Sequence, residues 1–265
     1  MANHIGVIGA GVMGEALIAA LIRSGENPSD ISFAEKRSER AQELVNRYSI
    51  IHKDLISVAT NSKILLLVVK PQDLPSTLAE LAPHCAPETL VISFVAGKTI
   101  ASISAILGKS VSVVRVMPNT PALLGLGASG YSFGENANPQ MRTFVSNFLA
   151  ATGHAIEVPE SLQDAVTATS GSGPAYFFRF VEAMVDGAVA LGLSKEDAHA
   201  LTVQTIVGAA AMLEKSGDSP TILREKVTSP NGTTAAALAS FNSAGISEIV
   251  AEAMKAAAKR SQELS

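Results

Sequence analysis

Short apolar runs punctuated by turn residues fill the first 160 positions of the chain, and the leading runs are each followed by a stretch with helical periodicity. Positions 4–8 lead into 12–24, 31–34 into 38–48, and 64–69 into 72–82. Further runs at 90–95, 111–117, 129–133 and 155–158 complete the set. Strands that alternate with helices predict a parallel sheet covered on both faces, since parallel neighbours are joined by crossovers and the crossovers are helical. The runs IGVIG, ILLLVV and LVISFV lack the polar alternate positions of a half-solvated strand, as burial on both sides requires.

Beyond position 160 the pattern changes. Nine of the 12 Pro lie before it and the remainder is Ala-rich, so the first part is turn-rich and the second helical. The S-x-x-D pairs Ser161 with Asp164 and Ser194 with Asp197 read as capping boxes. Helices are predicted near 174–192, 194–216, 233–243 and 246–263. Segments such as GAVALGL and IVGAAAML carry few charges on any face, and a helix apolar nearly all round must be buried. A domain of this size cannot bury several such helices by itself, so a homodimer built mainly by residues 161–265 is expected. The alternative is a compact monomeric bundle.

Charge narrows the function classes. The 265 residues hold 20 Lys+Arg against 24 Asp+Glu, for a net charge of −4, with the cations scattered among acids. No basic field exists to bind nucleic acid. No apolar run approaches the roughly 20 residues of a bilayer span, and the opening residues lack a charged leader, so no membrane association is expected. The single Cys85 excludes an internal disulfide and fits a reducing compartment, with the cytoplasm as the expected location. His4, His52, His84, His154 and His199 show no metal-ligand spacing, and no metal site is predicted.

The first site candidate is Gly9-Ala10-Gly11-Val12-Met13-Gly14, which follows the first strand and opens a helix. Gly9 suits a tight turn, Gly11 the close approach of a pyrophosphate, and Gly14 helix-against-strand packing. The helix start at Val12 and Met13 adds amide groups and a positive dipole for phosphates. This is a dinucleotide fingerprint in its proper context. The fold class is therefore an α/β Rossmann-type doubly wound sheet over residues 1–160, followed by an all-α dimerisation domain over 161–265. Specificity turns on the end of the second strand. NAD readers place an acid about 20 residues beyond the glycines, and NADP readers place cations against a 2′-phosphate. Glu35 is such an acid, but Lys36, Arg37 and Ser38 form the better anion cradle, so NADPH is expected as the preferred cofactor and NADH as possible. The alternative is a solvated helix start, with Arg40 and Arg47 continuing that face.

Two more segments have compositions that secondary structure alone does not explain. Met117-Pro118-Asn119-Thr120-Pro121-Ala122 is a stiff turn after a strand that would hold Asn119 and Thr120 in one place. Ser229-Pro230-Asn231-Gly232-Thr233-Thr234 clusters hydroxyls and amides at a helix start, where anions bind, although this second segment taken by itself reads more simply as a plain N-cap. With IGVIGAGVMGEAL, Val69-Lys70-Pro71, Val95-Ala96-Gly97 and Ser170-Gly171-Ser172-Gly173-Pro174-Ala175-Tyr176, these segments resemble the pyrroline-5-carboxylate reductases from the first strand to the last helix. One departure is Asn231, where members usually carry Gly; Asn tolerates a left-handed backbone better than most residues.

The resemblance implies reduction of the cyclic imine 1-pyrroline-5-carboxylate to L-proline by NAD(P)H, in a homodimer that family members often assemble into decamers. It places Val69, Lys70, Pro71, Ala96, Gly97, Asn119 and Thr120 beside the nicotinamide end of the cofactor, and 229–234 around the substrate carboxylate. On that basis Ser229, Gly232 and Thr233 are expected to fix the carboxylate and Thr234 to hydrogen-bond the ring nitrogen, with Thr234 and Ser229 as the catalytic pair. Two other readings compete. A 3-hydroxyacid dehydrogenase-like enzyme needs a lysine on the first long helix of the second domain, but 174–191 has Arg179 as its only base. A non-catalytic NADP-binding sensor would not need the hydroxyls at 229–234.

Overall fold

The computed structural model describes residues 4–108 and 110–264. The alternation resolves into β1 (Ile5–Ile8), α1 (Val12–Arg23), β2 (Ile31–Ala34), α2 (Ser38–Tyr48), β3 (Ile51–His52), α3 (Leu55–Asn61), β4 (Ile64–Leu67), α4 (Leu74–Leu81), β5 (Leu90–Ser93), α5 (Ile100–Leu107), β6 (Ser112–Met117), β7 (Gly127–Phe133), α6 (Pro139–Ala150) and β8 (Gly153–Glu157). The strands form one sheet in the order β3-β2-β1-β4-β5-β6-β7-β8. All pairs are parallel except β6 with β7. The exception has a cause in chain length: the segment 118–126 is too short for the crossover that a parallel pair needs.

Successive residues of the inner strands face opposite cores. Leu66 joins Ile5, Val7, Leu17, Leu21, Phe33 and Phe148 on one side of the sheet, while Leu65 and Leu67 join Val58, Leu78, Val91, Ile103 and Val113 on the other. Burying each such side chain is worth about 1.5–3 kcal/mol, which is why these strands read as continuous apolar runs. The helices α3, α5 and α6 fall outside the segments named from the sequence, yet each has a local start signal. The side chains of Asp54, Thr99 and Asn138 accept from the N–H groups of Ser57, Ser102 and Met141.

After β8 come α7 (Gln163–Val166), a π-helical turn at Thr167–Gly171, and α8 (Gly173–Ala190), α9 (Lys195–Lys215), α10 (Pro220–Lys226), α11 (Thr233–Ser243) and α12 (Ile246–Glu263). The Ser194 box forms as expected, with Asp197 N–H donating to Ser194 Oγ at 3.0 Å and the hydroxyl returning to the carboxylate at 2.7 Å. The Ser161 box does not. A 3₁₀ turn occupies Glu160–Leu162, and the Asp164 carboxylate is taken by Ser261 and Arg115. Here a distant partner overrides a local pattern.

The chain divides into two compact units, Met1–Pro174 with Ala256–Ser265, and Ala175–Lys255. The first holds the sheet. Within the second, Phe180 and Phe241 pack with ring centroids 6.2 Å apart, while Leu191, Leu201, Val207, Met212 and Ile249 remain exposed on the single chain. No helix among the described residues is long and apolar enough to cross a membrane.

Candidate active site

The strands β2, β1, β4, β5 and β6 run parallel, so the residues that follow each of them lie along one edge of the sheet. Between β1 and β4 the strand order reverses direction, and in such sheets the crevice at that point is where ligands bind. The glycine loop sits there. Gly9 has φ 93°, and a Cβ on it would lie 2.7 Å from the Val68 carbonyl oxygen. A Cβ on Gly14 would collide with the Gly9 carbonyl. At Gly11 an added Cβ meets nothing within 4 Å. Two glycines are thus demanded by the protein's own backbone, and the third borders open space at the N-terminus of α1, whose first amides have no intrahelical partner.

The two peptide groups that flank the Ala10 Cα are each held by a side chain. The Ala10 N–H donates to Glu35 Oε2 at 3.2 Å, and the Ala10 carbonyl accepts from Arg40 Nε at 3.2 Å. Glu35 also accepts at Oε1 from the Arg37 backbone N–H at 3.1 Å and from Arg37 Nε at 3.0 Å. Burial alone would raise the Glu35 carboxyl; the Arg37 and Ala10 donors outweigh it and hold the pKa below the ordinary glutamate value. Lys36, Arg37 and Ser38 are exposed, as an anion cradle requires, but Arg37 enters that cradle already paired to Glu35. Arg40 and Arg47 are more than a solvated face, although Arg47 stays half exposed. Both converge on the buried carboxylate of Glu15, which also accepts from Tyr48 Oη at 3.0 Å.

Val69, Lys70 and Pro71 follow β4, with Lys70 exposed, and Ala96 and Gly97 follow β5, with Gly97 buried at φ 76°. Beyond β6, Asn119 is buried and its Oδ1 accepts the Ala128 N–H at 2.9 Å, which commits that oxygen to the start of β7. Thr120 is exposed at the head of the 3₁₀ turn Thr120–Leu124. Arg23, at the end of α1, donates to the carbonyls of Ala122 at 3.2 Å and Ala151 at 3.1 Å, tying the helix of the glycine loop to this turn. The π-helical turn meets the same segment, because a Cβ on Gly171 would strike Met117 Cε. Single π turns are frequent at functional sites.

In the second unit, Asn231 has φ 60°, so the residue flagged as a departure does adopt the left-handed backbone. Gly232 donates its N–H to the Ser229 carbonyl at 3.0 Å, and a Cβ on Gly232 would strike Ser229 Oγ. The loop therefore folds the Ser229 hydroxyl over the start of α11. No side chain caps that helix, and among the described residues no partner engages the hydroxyls of Ser229, Thr233 or Thr234. Ser229 and Thr233 are exposed and Thr234 is half-buried, and hydroxyls beside uncapped helix-start amides are groups an anion can engage.

Comparison with known proteins fits both units. A family model for pyrroline-5-carboxylate reductase dimerisation matches residues 160–264, and one for NADP oxidoreductase, coenzyme F420-dependent, matches residues 4–97. The chain is 41% identical to the pyrroline-5-carboxylate reductase of Pseudomonas aeruginosa over 98% of its own length and 96% of the relative's. Among solved structures, a pyrroline-5-carboxylate reductase from Coxiella burnetii superposes with a TM-score of 0.92 at 34% identity, covering 100% of this chain and 99% of that one. The pyrroline carboxylate reductase of Plasmodium falciparum, solved with NADP bound, superposes with a TM-score of 0.90 at 29% identity over 99% and 98% of the two chains. The chain belongs to the pyrroline-5-carboxylate reductase family.

Proposed function

We propose that the protein reduces the C=N bond of 1-pyrroline-5-carboxylate to give L-proline, with NADPH preferred over NADH. The observation that carries this reading is the open face of Gly11 at the switch point of the sheet, in a chain that also presents free hydroxyls and amides at 229–234. The bound dinucleotide supplies the hydride. Gly9, Gly11, Val12, Met13 and Gly14 hold the pyrophosphate, and Lys36, Arg37 and Ser38 take the 2′-phosphate. Val69, Lys70, Pro71, Ala96, Gly97, Asn119 and Thr120 line the nicotinamide end. Asn119 shapes that wall while its side-chain oxygen serves β7. On the substrate side, Ser229, Gly232 and Thr233 bind the carboxylate through hydroxyls and amides, and Thr234 orients the ring nitrogen. A threonine hydroxyl is a poor acid, so the imine arrives protonated or takes its proton from water. The exposed apolar helices of the second unit support a homodimer, the family resemblance alone suggests its further assembly into a decamer, and the single cysteine fits the cytoplasm.

Oxidation of NADPH followed at high protein concentration with 1-pyrroline-5-carboxylate tests the reading: absorbance falls if the protein is the reductase and stays constant if it is a nucleotide sensor. The Glu35–Arg37 pair makes a second prediction. Arg37→Ala removes a charge-assisted contact to the 2′-phosphate, worth about 1.5–3 kcal/mol, and leaves the Glu35 carboxylate facing that phosphate uncompensated. The KM for NADPH is therefore expected to rise on the order of 10–100-fold, while that for NADH, whose ribose hydroxyl can donate to Glu35, stays level or improves. Equal losses for both cofactors would remove the phosphate role from Arg37.

A further inference from the structure

The last turn of α12 packs against the segment that follows β5. A Cβ on Gly97 would lie 2.6 Å from Leu264 Cβ and 3.0 Å from the Ser261 carbonyl oxygen, and the φ of 76° independently favours glycine. The same turn is anchored by a line of polar groups. Ser261, 3% exposed, donates its hydroxyl to Asp164 Oδ1 at 2.7 Å. Asp164 faces Arg115 Nη2 at 3.7 Å, and Arg115 Nη1 reaches Glu160 Oε1 at 3.4 Å. That glutamate oxygen accepts the N–H of Ile100, the first residue of α5, at 2.7 Å. Residues 97–100 are thus held at one end by the tail of α12 and at the other by Glu160, and both holds run through Arg115.

Arg115 is 5% exposed on a strand whose neighbours Val113, Val114 and Val116 are fully apolar. Buried ion clusters of this kind add little stability over well-packed apolar residues, but they fix geometry, because each member has one arrangement that satisfies it. We propose that residues 261–264 and the Ser261–Asp164–Arg115–Glu160 line are a positioning device for the loop at Ala96 and Gly97, and so set the affinity for the nicotinamide end of the dinucleotide. This rests on the reading above that Ala96 and Gly97 lie beside the nicotinamide. Ser261, Asp164 and Leu264 act through the loop and are positioning residues.

The test uses the full-length protein, a form ending at Arg260, and the variants Ser261→Ala and Ser261→Thr. NADPH affinity is read by fluorescence titration without substrate, and amide exchange is read at 97–103. The shortened form is expected to bind NADPH about 5–20-fold more weakly, since ordering the loop is then charged to binding, and to exchange the Ile100 amide at least about tenfold faster. Ser261→Ala shifts both in the same direction and Ser261→Thr, which keeps the hydroxyl, restores them. Should the shortened form fail to fold, Ser261→Ala decides alone. Unchanged affinity in Ser261→Ala overturns the proposal, as does faster exchange without weaker binding, which would leave the tail a structural brace with no bearing on the cofactor. Failure of the functional reading shows separately, as a full-length protein that binds NADPH but does not oxidise it with 1-pyrroline-5-carboxylate.

Discussion

Thr234→Val is expected to lower kcat on the order of 10²-fold while leaving the KM for NADPH within about twofold, because the cofactor groups lie elsewhere in the chain. The substitution is close to isosteric: valine keeps the β-branched shape in the first turn of α11 and removes the hydroxyl alone. With no residue among those described engaging that hydroxyl, its loss breaks no internal hydrogen bond and costs the fold little, so the effect reads out on the substrate. If Thr234 orients the imine nitrogen, the loss appears mainly in kcat, since the contact tightens as the nitrogen gains its lone pair and the geometry around it changes. Thr233→Val, by contrast, removes a carboxylate contact present before and after reduction, and is expected to raise the substrate KM with a smaller change in kcat. Steady-state kinetics on the two variants separates the roles. An unchanged kcat for Thr234→Val would take the ring nitrogen away from Thr234.

The parts of this fold that can be read from the sequence are those whose cause is local. The doubly buried strands are legible because Leu65, Leu66 and Leu67 each need a core on alternate sides, which leaves no polar position between them. Gly9 and Gly14 are legible because spacing after a strand dictates which glycine turns and which packs. What escaped was set by partners far away in sequence. The Ser161 pattern matches a capping box, yet Asp164 is claimed by Ser261, 97 positions on. Asn119 reads as a polar residue held by a stiff turn, and nothing near it in sequence announces that its oxygen accepts the Ala128 N–H. Arg40 and Arg47, spaced two turns apart on α2, look like an ordinary solvated face, because nothing in that helix announces the acid on α1 that both of them reach. Helices α3, α5 and α6 were within reach, since Asp54, Thr99 and Asn138 each cap a backbone N–H three residues on.

That acid gives the largest stability effect expected in the first unit. Glu15 interrupts the apolar stripe of α1 and is nearly buried, so its side chain needs its partners: Arg40, Arg47 and the Tyr48 hydroxyl. Burial on its own would raise the carboxyl, but the hydrogen bonds from Arg40, Tyr48 and Arg47 more than offset this and hold the pKa below the ordinary value. Glu15→Ala leaves Arg40, whose side chain is 16% exposed, without its main counterion, and loosens the grip of Arg40 on the Ala10 carbonyl. Breaking a fully buried pair costs about 3–5 kcal/mol; with Arg47 half exposed and Glu43 still bonded to both arginines, about 2–3 kcal/mol is expected here. The pH dependence has a definite sign. A carboxyl that titrates lower in the folded protein than in the unfolded chain contributes stability above the ordinary glutamate value of about 4.3 and loses it as pH falls through the folded value. Urea denaturation of wild type and Glu15→Ala should therefore show a gap that is full near neutral pH and narrows below about pH 4.3. Cofactor affinity should weaken along with stability, because the same arginine that neutralises Glu15 orients the peptide of the glycine loop. A gap under about 0.5 kcal/mol at neutral pH would mean that the arginines simply turn to Glu43 and solvent, leaving an ordinary surface cluster.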